Sequence, residues 1–386
     1  MLDKIERISR SPDIVRNRFR RMIGRLGIDV NYSNGVSFYP HTVCLIPTLR
    51  CNLDCIMCGL RENLAVPSRL PTGTMFNHER TREEIIVISD RIAEIRPNVL
   101  IGGGEPTLYP YLPDIIERIS KRHGLFSGIM TNGLLLAELM ESLIDAGLIM
   151  VYVSIDGIGE VFDRVRGKGN FERFESALKQ SWRIKSRKGS KIPFFTAVYT
   201  ITPDNYFDIP RTAKWLVSLG ITKLVIQHPV KFSKEMIERH NSSVKNAYDH
   251  IHWTWGGSLD MRSIDPKLLG SSIAEAKKIL SPYGKNAFEE KPDWSRWGYE
   301  SYYFGNMPPP VKRRVCQLFW RMTFIYPDGS VMPSLFCYFH TMGNLLDNTL
   351  GEIWNNEAYR FLRSRVKSNG WFKICDNCVF PHVSNI

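Results

Sequence analysis

The chain has 386 residues, 43% of them hydrophobic, with eight cysteines and a formal net charge of +12. That length exceeds one ordinary domain, so a main domain with a smaller companion is expected around a packed core. No run of about 18 apolar residues occurs, so no membrane-crossing helix is expected; with no recognisable signal peptide, the cysteines point to metal ligation in a reducing, cytoplasmic compartment and not to disulfides.

Much of the positive charge is local. Residues 16–25 carry five arginines and no acid, interleaved with Phe19, Met22 and Ile23. Such a basic amphipathic helix suits a peripheral contact with an anionic membrane surface, or a packing role with its arginines in solvent. The acids Asp3, Glu6 and Asp13 argue against a transit peptide, which is poor in acids.

Residues 43–51 read as a buried parallel strand that ends at a loop holding Cys51, Cys55 and Cys58. Cys44, inside the strand, reads as a small buried hydrophobe. Three thiolates in one short loop can hold three irons of a cubane and leave the fourth open, whereas iron–sulfur clusters normally take four cysteines. A zinc loop is the alternative, but zinc favours paired knuckles and closes its own four-ligand shell, and the next histidine is as far off as His78. Ligand sites on parallel sheets lie at the carboxyl ends of strands, where this loop falls.

A helix over 79–95 and a strand over 98–101 lead into Gly102, Gly103, Gly104, Glu105 and Pro106. Glycines let a backbone approach a ligand and adopt positive φ, although a glycine run alone is usually only a turn. The alternation continues with a helix over 112–123, a strand over 128–130 ending in the turn Thr131-Asn132-Gly133, and a helix over 134–147. A fourth strand, 150–157, carries Ser154 and Asp156, and past a short helix comes Arg166, for which a solvent ion pair with Asp163 is the plain alternative. Strands over 193–201 and 222–228 flank a helix over 213–219. Six such units suit an open barrel, since a closed eight-unit barrel needs about 250 residues.

Over 231–314 the repeat is expected to stop. This connection holds Trp253, Trp255, Trp294 and Trp297 and ends in three prolines, 308–310; its rings suit a substrate pocket or a cover over the open barrel equally. His228, His240, His250 and His252 show no ligand spacing. Finally, Cys316, Cys337, Cys375 and Cys378 enclose a hairpin whose tight turn is Asp328-Gly329, and a helix over 351–367. Four thiolates suffice for one cluster, and an all-cysteine zinc ribbon is the alternative.

The CxxxCxxC loop, the GGEP turn, Ser154 with Asp156 and Arg166 together resemble the radical S-adenosylmethionine (SAM) family. The C-terminal cysteines and the GNLLDNTLGEIW run resemble its SPASM/twitch extension, closest to the one-cluster twitch form. The resemblance implies a partial (β/α)6 TIM-like barrel with a small C-terminal α+β iron–sulfur domain, divided as 1–39, 40–230, 231–314 and 315–386. It implies a [4Fe–4S] cluster on Cys51, Cys55 and Cys58 with SAM on its open iron. Met57 would stand where the family usually carries an aromatic residue against the adenine, and the backbone of Gly103, Gly104, Glu105 and Pro106 would bind the methionyl amine, with the Glu105 carboxylate a further acceptor at the end of the turn. Ser154 and Arg166 would bind the SAM carboxylate, and one auxiliary [4Fe–4S] cluster would sit on Cys316, Cys337, Cys375 and Cys378. The activity implied is reductive cleavage of SAM, with a flavodoxin or ferredoxin as reductant, and hydrogen abstraction from a small-molecule, sugar or lipid-headgroup substrate, with oxidation of an alcohol as the expected outcome. A peptide maturase is the alternative, although leader recognition usually takes more than the 39 residues that precede the barrel. A non-catalytic nucleic-acid scaffold would give the glycine turn, Ser154 and Arg166 no purpose, so no nucleic-acid partner is expected.

Overall fold

The computed structural model describes residues 34–60, 78–230, 232–245, 259–295, 298–304, 315–335, 340–370 and 372–378, with residues 19, 22, 250 and 337. The basic stretch 16–25 therefore lies outside the described residues except for Phe19 and Met22, both exposed. Trp253, Trp255, Trp297, His252 and prolines 308–310 also lie outside them.

Six parallel strands follow the expected order: β1 Thr42–Thr48, β2 Asn98–Gly103, β3 Ser127–Thr131, β4 Met150–Ser154, β5 Phe194–Thr200 and β6 Leu224–Gln227. Each pairs with the next. Side chains alternate across a strand, and here one face packs on helices: Val43, Leu45, Val99, Ile101, Ile129, Val151, Val153, Ala197 and Tyr199 all join the main core. The covering helices are α1 Arg82–Ala93, α2 Leu112–Ile116, α3 Leu136–Ala146, α4 Glu160–Arg166, α5 Asn170–Arg187 and α6 Ile209–Ser218. Their ends obey local chemistry. Thr81 and Glu84 form a capping box before α1, and α3 stops on Gly147 at φ 88°, a conformation glycine adopts without a Cβ clash.

The repeat does not stop at residue 230, as the sequence reading expected. After α7 Lys234–Ser243 and α8 Pro266–Leu280, strand β7 Phe288–Lys291 pairs parallel with β6. Its sequence, FEEK, has neither an apolar run nor clean alternation, because its charges find partners on both faces.

The C-terminal part continues the same sheet from the other side. After α9 Tyr299–Tyr303, strand β8 Met322–Ile325 pairs parallel with β1, Thr42 opposite Met322. Strands β9 Ser330–Met332 and β10 Gly343–Asn344 add antiparallel neighbours. The sheet thus runs β10-β9-β8-β1-β2-β3-β4-β5-β6-β7. Helices α10 Leu350–Trp354 and α11 Glu357–Asn369 follow, and a short 3-10 turn over Lys373–Asn377 is the last element among the described residues. Two smaller apolar clusters complete the packing. One, on the inner face, joins Cys44, Ile46 and Leu49 to Met322, Phe324 and Tyr326. The other joins Val230, Phe232 and Ile237 to Ile374 and Cys378.

Candidate active site

The Cys51 loop starts where β1 ends, and the turns after β2 and β3 together with helix α4 hold it. Gly104 N–H donates to Thr48 O (3.1 Å) and Glu105 N–H to Arg50 O (2.7 Å). Farther along, Ile56 N–H donates to Val165 O on α4 (3.1 Å), and Cys58 N–H closes a tight turn onto Cys55 O (3.1 Å). Cys51 is exposed, Cys55 and Cys58 half-buried, and Met57 sits half-buried in the turn between the last two.

The glycines after β2 answer to this contact. A Cβ on Gly104 would lie 2.2 Å from Arg50 O, and one on Gly103, at φ 116°, 2.3 Å from Ile46 Cγ2. They are needed for the close approach of two strand ends, which brings the Cys51 loop and the GGEP turn together.

Glu105 is a hub. Its buried carboxylate accepts from Thr107 N–H (3.1 Å), Thr107 Oγ1 (2.6 Å), Thr131 Oγ1 (2.7 Å) and Asn132 N–H (2.6 Å). Asn132 Nδ2 in turn donates to Asn52 Oδ1 (2.7 Å), next to Cys51. A closed circuit therefore ties the turns after β2 and β3 to the loop after β1. Sequence reasoning missed Asn52, Thr131 and Asn132; the turn residues after β3 were the signal that could have found them, because they end the strand next to the glycine run.

Arg166 is buried and ion-paired with Asp156, Nη2 to Oδ2 2.5 Å. The suggested pair with Asp163 does not form. Asp163 instead accepts from Gly169 N–H (2.7 Å) and Phe171 N–H (2.8 Å), shaping the start of α5. Asp156 is itself fixed by Thr200 N–H (2.6 Å). Burial opposes both charges; against it, Asp156 carries the Arg166 guanidinium above its ordinary range, and we take the pair as ionised. Arg166 Nη1 also reaches to 3.9 Å from Cys55 Sγ. Ser154, at the end of β4, is half-buried.

Burial pushes the bare Cys55 thiol up to about 11, with Arg166 pulling it back, and raises Cys51 as well. Each of the three loop thiols lies within electrostatic reach of the others. At the C-terminal site burial pushes Cys316, Cys337 and Cys375 up to about 12. These three interact mutually, and Cys378 packs with Cys337 and Cys375 in one apolar cluster. Cys58 and Cys316 border the same inner cluster, so the two thiol sets flank one apolar region. Cys44 lies within it, its thiol pushed up to about 12 by burial, an inert hydrophobe as expected. Among the described residues no three His, Cys, Asp or Glu side chains converge closely enough to hold a single ion. Two sets of gathered thiols, one beside a guanidinium, are a donor set that fits iron–sulfur clusters, which cysteine thiolates hold. Ligation must deprotonate these thiols, so loading releases protons.

Residues 45–216 match the family model of the radical SAM superfamily, and residues 316–379 that of a SPASM iron–sulfur cluster-binding domain. The chain belongs to the radical SAM superfamily. As a radical SAM enzyme with a SPASM domain, it uses SAM, the [4Fe–4S] cluster that binds SAM, and an auxiliary iron–sulfur cluster. It is 26% identical over 353 residues to the tungsten-containing aldehyde ferredoxin oxidoreductase cofactor-modifying protein of Pyrococcus furiosus, covering 86% of this chain and 85% of the relative. It is 27% identical over 349 residues to the AdoMet-dependent heme synthase of Methanosarcina barkeri, covering 87% and 88%. Among solved structures, Streptococcus suis SuiB bound to SAM superposes with a TM-score of 0.59 at 15% identity, covering 86% of this chain and 69% of SuiB; that likeness concerns the fold. No helix among the described residues is long and apolar enough to cross a membrane.

Proposed function

We propose that this radical SAM enzyme oxidises a small molecule. Cys51, Cys55 and Cys58 hold the first cluster, Ser154 and the Asp156-braced Arg166 receive the SAM carboxylate, and backbone groups of Gly103 and Gly104 receive its amine. When bound, cluster and SAM supply one-electron cleavage to methionine and a hydrogen-abstracting 5′-deoxyadenosyl radical. Cys316, Cys337, Cys375 and Cys378 provide four thiolates, enough to complete an auxiliary cluster with no open position, which suits carriage of an electron better than binding of substrate. A carbinol that loses a hydrogen atom, an electron and a proton ends as a ketone. A flavodoxin or ferredoxin is the proposed reductant.

One observation carries the substrate class: the two relatives aligned along most of both chains are named for a cofactor modification and for heme synthesis, both small-molecule chemistries. The test uses candidate substrates deuterated at carbinol positions. Deuterium in 5′-deoxyadenosine and a product two hydrogens lighter than the substrate are expected. A product with the mass of the unlabelled substrate, its carbinol deuterium replaced by solvent hydrogen, would mean epimerisation and overturn the reading.

A further inference from the structure

Strand β7 lies outside the six-strand repeat and brings a charged wall to the mouth of the barrel. Leu224, Ile226 and Phe288 pack on the helix-side core, so the alternate residues Lys223, Gln227, Glu289 and Lys291 face inward. Register sets Thr200 beside Gln227 and Gln227 beside Lys291. Because β1 to β7 are parallel, this row sits at the same end as the cluster loop and Ser154. Gln227 is exposed, and Lys291 is 42% exposed. Lys223, just before β6 and away from the mouth, and Lys291, at the mouth end of β7, share the single carboxylate of Glu289, at 2.8 and 3.1 Å, which leaves one positive charge in excess along this inner face.

The back of the same two strands is locked. His228, immediately after β6, is wholly buried; its Nδ1 meets Tyr303 Oη (2.8 Å) and its Nε2 meets Glu290 Oε1 (3.0 Å). Tyr299 Oη donates to the other Glu290 oxygen (3.3 Å), and His228 N–H donates to Lys291 O (3.1 Å). A buried histidine–glutamate pair under tyrosines costs desolvation, and here it fixes Lys291 relative to the mouth.

We infer that Lys291 and Gln227 form a subsite for the carboxylate of the substrate, whose body lies along the same inner face toward Tyr152 and Met130, the latter 42% exposed. This deepens the small-molecule reading and rests on it. A charge-assisted bond to Lys291, with an amide donor from Gln227 beside it, gives a carboxylate what the glutamate leaves over.

The test is fluorine NMR of 4-fluorobenzoate and of neutral 4-fluorobenzyl alcohol with the SAM-loaded holoenzyme. Relaxation of the benzoate alone should respond. Lys291→Met should weaken benzoate binding about tenfold, Lys291→Arg should restore it, and Glu289→Gln, which frees both lysines, should tighten it. The opposite sign of the last change separates a lost site from a damaged protein. Equal response of the two probes, or benzoate binding unaltered in Lys291→Met, overturns the subsite. No turnover is involved, so this outcome is independent of the deuterium experiment that tests the oxidation.

Discussion

The Asp156 carboxylate lies 2.5 Å from the Arg166 guanidinium, and the same guanidinium extends to the Cys55 sulfur. One buried pair thus braces a cation against the cluster loop. Replacing Asp156 by Ala strands that cation, at a cost of about 3–5 kcal/mol. The double change Asp156→Leu with Arg166→Met should recover much of the denaturation midpoint but not SAM binding. A double variant that binds SAM normally would remove Arg166 from the cofactor site.

Metal content separates the two thiol sets. Reconstituted anaerobically, the protein should carry about eight irons, four for each cubane. Alanine at Cys51, Cys55 and Cys58 should leave about four irons and abolish 5′-deoxyadenosine formation. Elemental analysis of that variant finding zinc in place of iron would end the electron-carrying role of the C-terminal site.

Gly104→Ala should be costly because the new methyl meets backbone, Arg50 O at 2.2 Å, with no flexible side chain to yield. A loss of about 1–3 kcal/mol is expected, with weaker SAM binding by calorimetry. Gly124→Ala is the control: φ is +66° but the space is open, so SAM binding should not change.

The Asn52–Asn132 bond can be isolated by a double-mutant cycle to Ala. Its coupling should be about 0.5–1.5 kcal/mol. The spectroscopic signature of the SAM-bound cluster should shift in either single variant and no further in the double. Additive shifts would show that the two side chains act separately.

Asp90 contributes to the acid limb of stability. Hydrogen bonds from Arg118 (2.5 and 2.7 Å) and then His123 (2.6 Å) hold its carboxyl below the usual aspartate range. With the folded value depressed, the unfolded chain binds more protons as pH falls below about 4, so the contribution is present above that range and lost below it. Asp90→Asn should flatten the slope of melting temperature against pH between about 4 and 3; an unchanged slope would assign it elsewhere.

Much of this was legible because the signals were local. The six apolar strands, the cysteine spacing and the glycine turn each carry their reason within a few residues. The four thiols at 316, 337, 375 and 378 were readable as a set because the C-terminal part of the sequence holds no further cysteine. What stayed hidden was pairing at long range. FEEK becomes a strand only because Lys223, Lys291, His228 and Tyr299 satisfy its glutamates. Asp156 and Arg166 were both visible, yet their pairing was not: the ion pair suggested for Arg166 was with Asp163, three residues away, and the buried partner is Asp156. Glu105 looked like an acceptor for a ligand, whereas its oxygens are spent on Thr107, Thr131 and Asn132.

The pairing of β1 with both β2 and β8 bears on how the protein is made. During synthesis β1 emerges first among the sheet strands, yet one of its edges has no partner until Ile325 has left the ribosome. An open strand edge held through most of translation invites pairing with other chains, and closure at such long sequence separation is slow. Truncation before β8 should therefore yield an aggregating catalytic core, not a soluble domain that lacks only its second cluster.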